Sequence, residues 1–138
     1  MRGVYLLCLR VLRKINLRVG SLGVVEFLPG IYVYVGSAQV GLEERVRRHA
    51  SKTKKRHWHI DYLTGSRWVR VAGAYVYPLP KRYECILASK LREVGEAVPG
   101  FGASDCGCSS HLIKIGEERL NDVITETSRL NPRSIELR

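Results

Sequence analysis

The chain has 138 residues, the size of one domain that buries roughly two thirds of the surface its unfolded form exposes, and its 45% hydrophobic and 26% charged residues exclude a disordered or fibrous chain. The longest apolar runs, residues 4–9 and 30–36, are too short to cross a bilayer, and Arg10, Arg13 and Lys14 break the first of them, so no membrane partner and no signal peptide are expected and the expected location is the cytoplasm. Lysine and arginine number 23 against 13 acidic residues, and the resulting charge of +10 points to a polyanionic partner, nucleic acid first.

Gly3 to Leu9 reads as a first strand, and Leu17 to Val19 with Val24 to Phe27 reads as a short hairpin turning through Gly20 to Gly23. Pro29-Gly30 then leads into Ile31 to Val35, a β-branched and aromatic run with no helical polar face, which predicts another strand. At Leu42 the period changes. Leu42, Val46 and His49 recur at helical spacing, with Glu43 and Glu44 in the first turn and Arg47 and Arg48 in the last, the order the helix dipole favours, so residues 42–51 read as an amphipathic helix. His57 to Leu63 fits either a strand or a short helix. Trp68 to Tyr77 returns to strand character and is stopped by Pro78 and Pro80. Glu84 to Val94 reads as a second helix with Ile86, Leu87, Ala88, Leu91 and Val94 available for a core. Val98 to Ser110 is a loop, Leu112 to Ile115 a late strand, and Glu117 to Leu130 a terminal helix. Together these predict an α/β fold, a small mixed, mainly antiparallel sheet packed with helices, in one domain over residues 1–138 with an added hairpin after the first strand.

Gly36-Ser37-Ala38 lies between the tyrosine-rich strand and the basic helix. Its amides and the Ser37 hydroxyl suit a phosphate, with Arg45 as cation, although the same residues also suit an ordinary turn beside a surface arginine. Basic side chains are densest from Arg45 to His57, so Arg47, Arg48, Lys52, Lys54, Lys55 and Arg56 are candidate backbone contacts to nucleic acid, together with Ser37. Trp58 beside them fits either stacking on an exposed base or packing in the core. Cys8 and Cys85 read as small buried thiols. Asp105, Cys106, Cys108 and His111, with His57, His59 and Asp61, form a second set with three open uses: a structural Zn2+ site, a hydrogen-bonded or substrate-facing polar cluster, or a disulfide. The Cys-x-Cys spacing is tighter than the usual Cys-x2-Cys knuckle, which weighs against zinc. On a strand His57, His59 and Asp61 would share a face; on a helix they would scatter.

Gly3-Val4-Tyr5, Tyr34-Val35-Gly36, Ser37-Ala38, Arg45 and His49, in that order, resemble the signature of the GIY-YIG nuclease superfamily. The resemblance is closer to its Uri-type branch of GIY-YIG-like endonucleases, small standalone proteins also found fused to endonuclease III-like repair glycosylases. It is carried by Gly30 to Ala38, Arg48-His49, His57 to Leu63, Glu84-Cys85 with Leu87-Ala88, and Val98 to Gly102 through His111. It spans residues 3–115, leaving 116–138 as a C-terminal helix and tail.

The resemblance implies a GIY-YIG-like fold and a metal-dependent endonuclease acting on DNA in repair or processing. Tyr5, Tyr34, Arg45, His49 and Glu84 would be catalytic, with Mg2+ or Mn2+ held by Glu84. In that reading Tyr5, through a water or His49, helps deprotonate the attacking water, and Arg45 neutralises the charge growing on phosphorus. No helix-turn-helix, zinc-finger or zipper pattern supplies base readout, so the expected substrates are branched, nicked or damaged DNA, with RNA left open and a repair glycosylase as an expected associate. The alternative is a noncatalytic nucleic-acid-binding module with the same fold. Three departures from the family pattern carry their own expectations. Residues 10–29 form an insertion; the Gly36 to Arg45 spacing is one residue longer than usual, with Gly41 absorbing it; and Ser89 stands where a second helical acid is common, so Glu84 must act from an earlier turn.

Overall fold

The first apolar run lacks a polar face because strand β1 (Gly3–Val11) is a central strand covered on both sides. The computed structural model describes residues 2–103 and 107–137. β1 pairs with β4 (Gly30–Ala38) on one side and β5 (Val69–Tyr77) on the other, both antiparallel. The two-residue β6 (Glu96–Ala97), β7 (Leu112–Lys114) and β8 (Arg133–Glu136) complete a six-stranded sheet in the order β6-β7-β4-β1-β5-β8, and every pairing among the described residues is antiparallel. The expected mainly antiparallel α/β architecture is therefore the one observed. So is the added hairpin: β2 (Ile15–Arg18) and β3 (Val24–Phe27) pair as a separate ribbon joined through a 3-10 turn at Gly20–Leu22.

Alternation along β1 splits the core into two layers. Tyr5, Leu7, Leu9 and Val11 face a cluster built with Phe27 of the hairpin, Leu42 and Val46 of α1 (Leu42–His49), and Ile60 and Leu63 of α2 (His59–Thr64). Val4 and Leu6 face the opposite cluster, with Leu87, Ala88 and Leu91 of α3 (Tyr83–Val94) and Leu120 and Val123 of α4 (Glu117–Glu126). The sheet is thus sandwiched between helical layers, which is why its central strands read as continuous apolar runs.

Local chemistry decides the ambiguous segments. Residues 59–64 form a helix rather than a strand because the buried Asp61 carboxylate accepts the backbone N–H groups of His57 (2.8 Å) and Trp58 (3.0 Å), satisfying donors at the helix start. Helix α1 starts directly after Gly41, whose φ of 62° is left-handed, a conformation that glycine adopts without strain. The terminal helix stops at Glu126, short of the expected Leu130, because the Thr127 hydroxyl turns back onto the Val123 carbonyl (2.8 Å) and a 3-10 turn follows at Ser128–Leu130. β6 and β8, too short to show a period, were not anticipated by the pattern.

The same Thr127 hydroxyl lies 2.7 Å from the hydroxyl of Tyr77, a fully buried residue on β5, and so ties the end of α4 to the sheet. Tyr77→Phe and Thr127→Val are each expected to lower unfolding stability by about 1 kcal/mol. Measured by urea denaturation, the double variant should lose clearly less than the sum of the two, because both single changes remove one shared bond.

Candidate functional site

Register first fixes where the tyrosines go. Tyr5 on β1 lies opposite Gly36 on β4, and a side chain at residue 36 would put its Cβ 2.5 Å from the Tyr5 Cζ and Oη atoms. The phenol therefore lies across β4 at a glycine, which has no side chain to meet it. Tyr34, two residues earlier on the same strand, puts its ring on the same face, 6.4 Å from the Tyr5 ring between centroids. These two rings, Ser37, Arg45, Trp58, Lys81 and Glu84 line a cleft of about 310 Å3, closed by His57, His59 and Gly102. Of the larger depressions elsewhere on the surface, those of about 440 and 560 Å3 contain no tyrosine, and one of about 490 Å3 holds Arg10, Tyr75, Glu117 and Glu136 but only one tyrosine and no histidine.

Helix α1 delivers two of the groups. Arg45 donates to the Ser37 carbonyl (2.9 Å) and holds its guanidinium 4.8 Å from the centroid of the Trp58 ring. One turn on, His49 is buried and its Nε2 lies 2.8 Å from the Tyr5 hydroxyl. Its Nδ1 has no hydrogen-bond partner among the described residues but lies 4.0 Å from Asp61 Oδ1. A proton on Nδ1 is favoured by that carboxylate, which leaves Nε2 as the acceptor of the Tyr5 O–H. Burial holds the His49 pKa down at about 4; Asp61 opposes the shift, and Lys54, Arg48 and Arg45 reinforce it. Burial pushes the Tyr5 pKa well above 10, helped by Tyr34, and Arg45 only partly counters this. At neutral pH the pair is thus a phenol donating to a neutral imidazole.

Glu84 approaches from the other layer. It sits in the first turn of α3, and its carboxylate accepts the Ser37 hydroxyl on one oxygen and His111 Nδ1 (3.0 Å) on the other. His111 Nδ1 also faces the Val35 carbonyl at 3.2 Å; with two acceptors in front of it, that nitrogen carries the proton. Burial alone would raise the Glu84 pKa, but the bonds from His111 and Ser37 outweigh it and hold the carboxyl below its usual range. Glu84 is an anion at neutral pH, in the cleft that Tyr5, Tyr34 and Arg45 also line.

The residues of the central basic segment divide by what they touch. Arg48 is paired with buried Asp61 (2.9 Å) and also donates to the Lys55 carbonyl. Lys52 Nζ is shared among the carbonyls of Thr64, Ser66 and Val69 at 2.6–2.8 Å, and Lys54 Nζ among those of His49 and Ser51. Burial lowers the Lys54 pKa to about 8. Arg47, Lys55 and Arg56 are exposed, Arg47 pairing with Glu43 (3.1 Å) and Arg56 lying over Tyr62. Trp58 is half-buried, packed on the core on one side and lining the cleft, so both of its expected uses meet in one residue.

The second polar set does not assemble as one cluster among the described residues. Asp61 is spent on Arg48 and the start of α2, and His59 Nδ1 accepts the Gly102 N–H (2.8 Å). His57 lies exposed at the cleft. Asp105 and Cys106 lie outside the described residues. Cys108 meets Cys85, the two sulfurs at bonding distance, so Cys85 is not the ordinary buried thiol its helix suggested. His111 joins them, its Nε2 3.7 Å from Cys85 Sγ. Its role against Glu84 was not legible in the sequence, since the two residues meet only through the sheet.

The chain belongs to the family described as domain of unknown function DUF123, whose model matches residues 4–131. Comparisons with curated proteins and with solved structures find no match.

A histidine held at about 4 in the fold and at its ordinary value near 6.5 when unfolded binds its proton preferentially in the unfolded chain. Its contribution to stability is complete above pH 6.5 and is lost as pH falls toward 4, by roughly 3 kcal/mol in all. Urea unfolding at pH 7, 5.5 and 4.5 should therefore show a steeper acid loss for the wild type than for His49→Gln. Parallel curves would mean that His49 is not held neutral.

Proposed function

We propose that the protein is a divalent-metal-dependent endonuclease that hydrolyses DNA phosphodiester bonds, a Uri-type member of the GIY-YIG nucleases. One observation carries the reading: a single cleft is lined by two tyrosines, a histidine-bound phenol among them, an arginine and an ionised glutamate. Nucleophile activation, charge neutralisation and metal binding each have a group there.

Glu84 suits a hard cation. A carboxylate offers about four acceptor positions, of which Ser37 and His111 use two, and Mg2+ or Mn2+ binds through one or two carboxylates while keeping waters and substrate oxygens. When bound, such an ion supplies Lewis-acid stabilisation of the leaving oxygen. His111 and Ser37 fix the carboxylate beforehand. Arg45, anchored on the Ser37 carbonyl and the Trp58 face, offers its remaining N–H groups to a phosphate and neutralises the charge that builds on phosphorus.

A free phenolate at Tyr5 is not the base, because burial holds its proton on. The proton path runs instead from the attacking water to the Tyr5 oxygen as Tyr5 passes its own proton to neutral His49 Nε2. Asp61, 4.0 Å from Nδ1, stabilises the imidazolium that results. Trp58 lines the cleft with Arg45 over its ring, an aromatic and guanidinium surface against which an exposed base can pack, which suits branched, nicked or damaged DNA better than intact duplex.

Arg45→Ala is expected to cut single-turnover cleavage of nicked and branched DNA, in magnesium or manganese, by about 100-fold or more, a loss of roughly 2.7 kcal/mol. Affinity measured in calcium should fall far less, since Lys55, Arg56 and Arg47 still attract the backbone. Near-wild-type turnover in Arg45→Ala would defeat its assigned role. Absence of metal-dependent cleavage by the wild type on every DNA and RNA form tested, with salt-sensitive binding retained, would leave a noncatalytic nucleic-acid-binding module.

Lys52→Met separates structure from binding. Removal of an ammonium shared by three carbonyls should lower stability by about 1–3 kcal/mol and leave DNA affinity within about threefold of wild type, whereas Lys55→Ser with Arg56→Ser should weaken binding and flatten its salt dependence with little change in stability. Thermal melts alongside salt titrations of a labelled oligonucleotide check both halves.

A further inference from the structure

Next to Glu84, the sulfurs of Cys85 and Cys108 and His111 Nε2 all lie within 4.8 Å of one another. We propose that in the reduced protein Cys85, Cys108 and His111 bind a zinc ion, a site separate from the hard-cation position on Glu84. The inference does not rest on the nuclease reading.

The histidine supplies the strongest argument. Its Nδ1 faces the Glu84 carboxylate at 3.0 Å and the Val35 carbonyl at 3.2 Å, both acceptors, so the proton is fixed on Nδ1 and the lone pair on Nε2, the nitrogen nearest Cys85 Sγ. A carboxylate behind an imidazole whose other nitrogen faces soft donors is the arrangement that orients histidine ligands at zinc sites and raises their basicity. Spacing agrees. Two ligands at ordinary Zn–S and Zn–N lengths in a tetrahedron stand about 3.6 Å apart, and Cys85 Sγ is 3.7 Å from His111 Nε2.

The two cysteines complete the set. Their Cα atoms are 6.1 Å apart, which permits a direct S–S bond, as in the structure, or two thiolates spread to about 3.8 Å around one metal by small side-chain rotations. These are two states of one pair. The disulfide is the oxidised, metal-free state; two thiolates and one imidazole are the reduced one, with soft and borderline donors that select zinc over magnesium. Three protein ligands leave a fourth position for water. All three donors are at least partly buried: His111 is buried, and Cys85 and Cys108 are half-buried between α3 and the loop that precedes β7. Because Cys85 follows Glu84 directly and His111 touches it, the metal would brace the carboxylate of the cleft, as a positioning device rather than a reacting centre.

The test uses the full chain without a histidine tag, kept under a non-thiol reductant with oxygen excluded. Zinc is quantified by elemental analysis after dialysis, and cobalt is substituted to report thiolate coordination by its charge-transfer absorption. The expected result is about one equivalent of zinc and a sulfur-to-cobalt band, with Cys85→Ser and Cys108→Ser each dropping zinc below about a tenth of an equivalent. Glu84→Gln should retain the metal but bind it about 10- to 100-fold more weakly, the effect of losing the carboxylate behind His111. Cys8→Ser should change nothing. Circular dichroism identifies any variant that fails to fold, and for such a variant the cobalt spectrum of His111→Gln, expected to lose its band or shift it, takes its place. Less than about a tenth of an equivalent of zinc in the reduced, folded wild type overturns the proposal. Full zinc retained in folded Cys85→Ser overturns the ligand set, and a Cys85–Cys108 bond that resists reduction until the protein unfolds overturns it in favour of a structural disulfide.

Discussion

Everything in the cleft depends on the close approach of Tyr5 to the backbone of Gly36. The phenol occupies the space a side chain at residue 36 would need, and from that position its hydroxyl reaches His49 on a helix 44 residues away in sequence. A one-residue slip between β1 and β4 would turn Tyr5 to the opposite face of the sheet, toward α3 and α4. The register is secured by nine consecutive residue pairs and by apolar side chains buried on both faces. Stability of the central pair of strands and geometry of the site are therefore one property, not two.

The net charge of +10 overstates the positive surface available to a polyanion. Arg48 is committed to a carboxylate with no exposed side-chain area, and loss of Arg48 would leave that buried charge without its ion-pair partner. Lys52 donates to carbonyls at the end of α2 and the start of β5, and Lys54 to carbonyls at the end of α1 and in the turn after it. The basic segment thus serves twice: part of it holds α1 and α2 together beneath the cleft, and part faces solvent. Asp61 is the hub of the first part, binding Arg48, opening α2 and setting the field around His49.

Legibility in the sequence followed the range of the interaction. β1, β4, α1 and α3 announce themselves by period and by long apolar faces, and Tyr5, Tyr34, Arg45 and Glu84, singled out together from the sequence, line one cleft. What was hidden is contact between distant polar groups. Nothing local to Lys52 distinguishes an ammonium bonded to three carbonyls from one in water, and the Cys85 and Cys108 pairing joins a helix to a loop 23 residues on. Residues 57–63 were ambiguous for the same reason, since the carboxylate that starts α2 is itself held by an arginine from another helix. β6 and β8 were missed because two and four residues carry no period; their hydrogen-bonded neighbours define them.

The last of these short strands has a consequence for how the molecule behaves in company. β8 lies against residues 73–76 of β5, and the Leu137 N–H bonds the Ala72 carbonyl, so the middle of β5's outer edge is occupied by the chain's own residues. An uncovered strand of that length, flat and apolar on both faces, is a template on which a second chain can continue the sheet. β8 itself is four residues long, with only Ile135 buried and charged Arg133 and Glu136 at its ends, and the opposite edge is the two-residue β6. Among the described residues the sheet is thus terminated on both sides by short strands that carry charged side chains, the arrangement by which an open sheet is kept from continuing into a neighbouring chain.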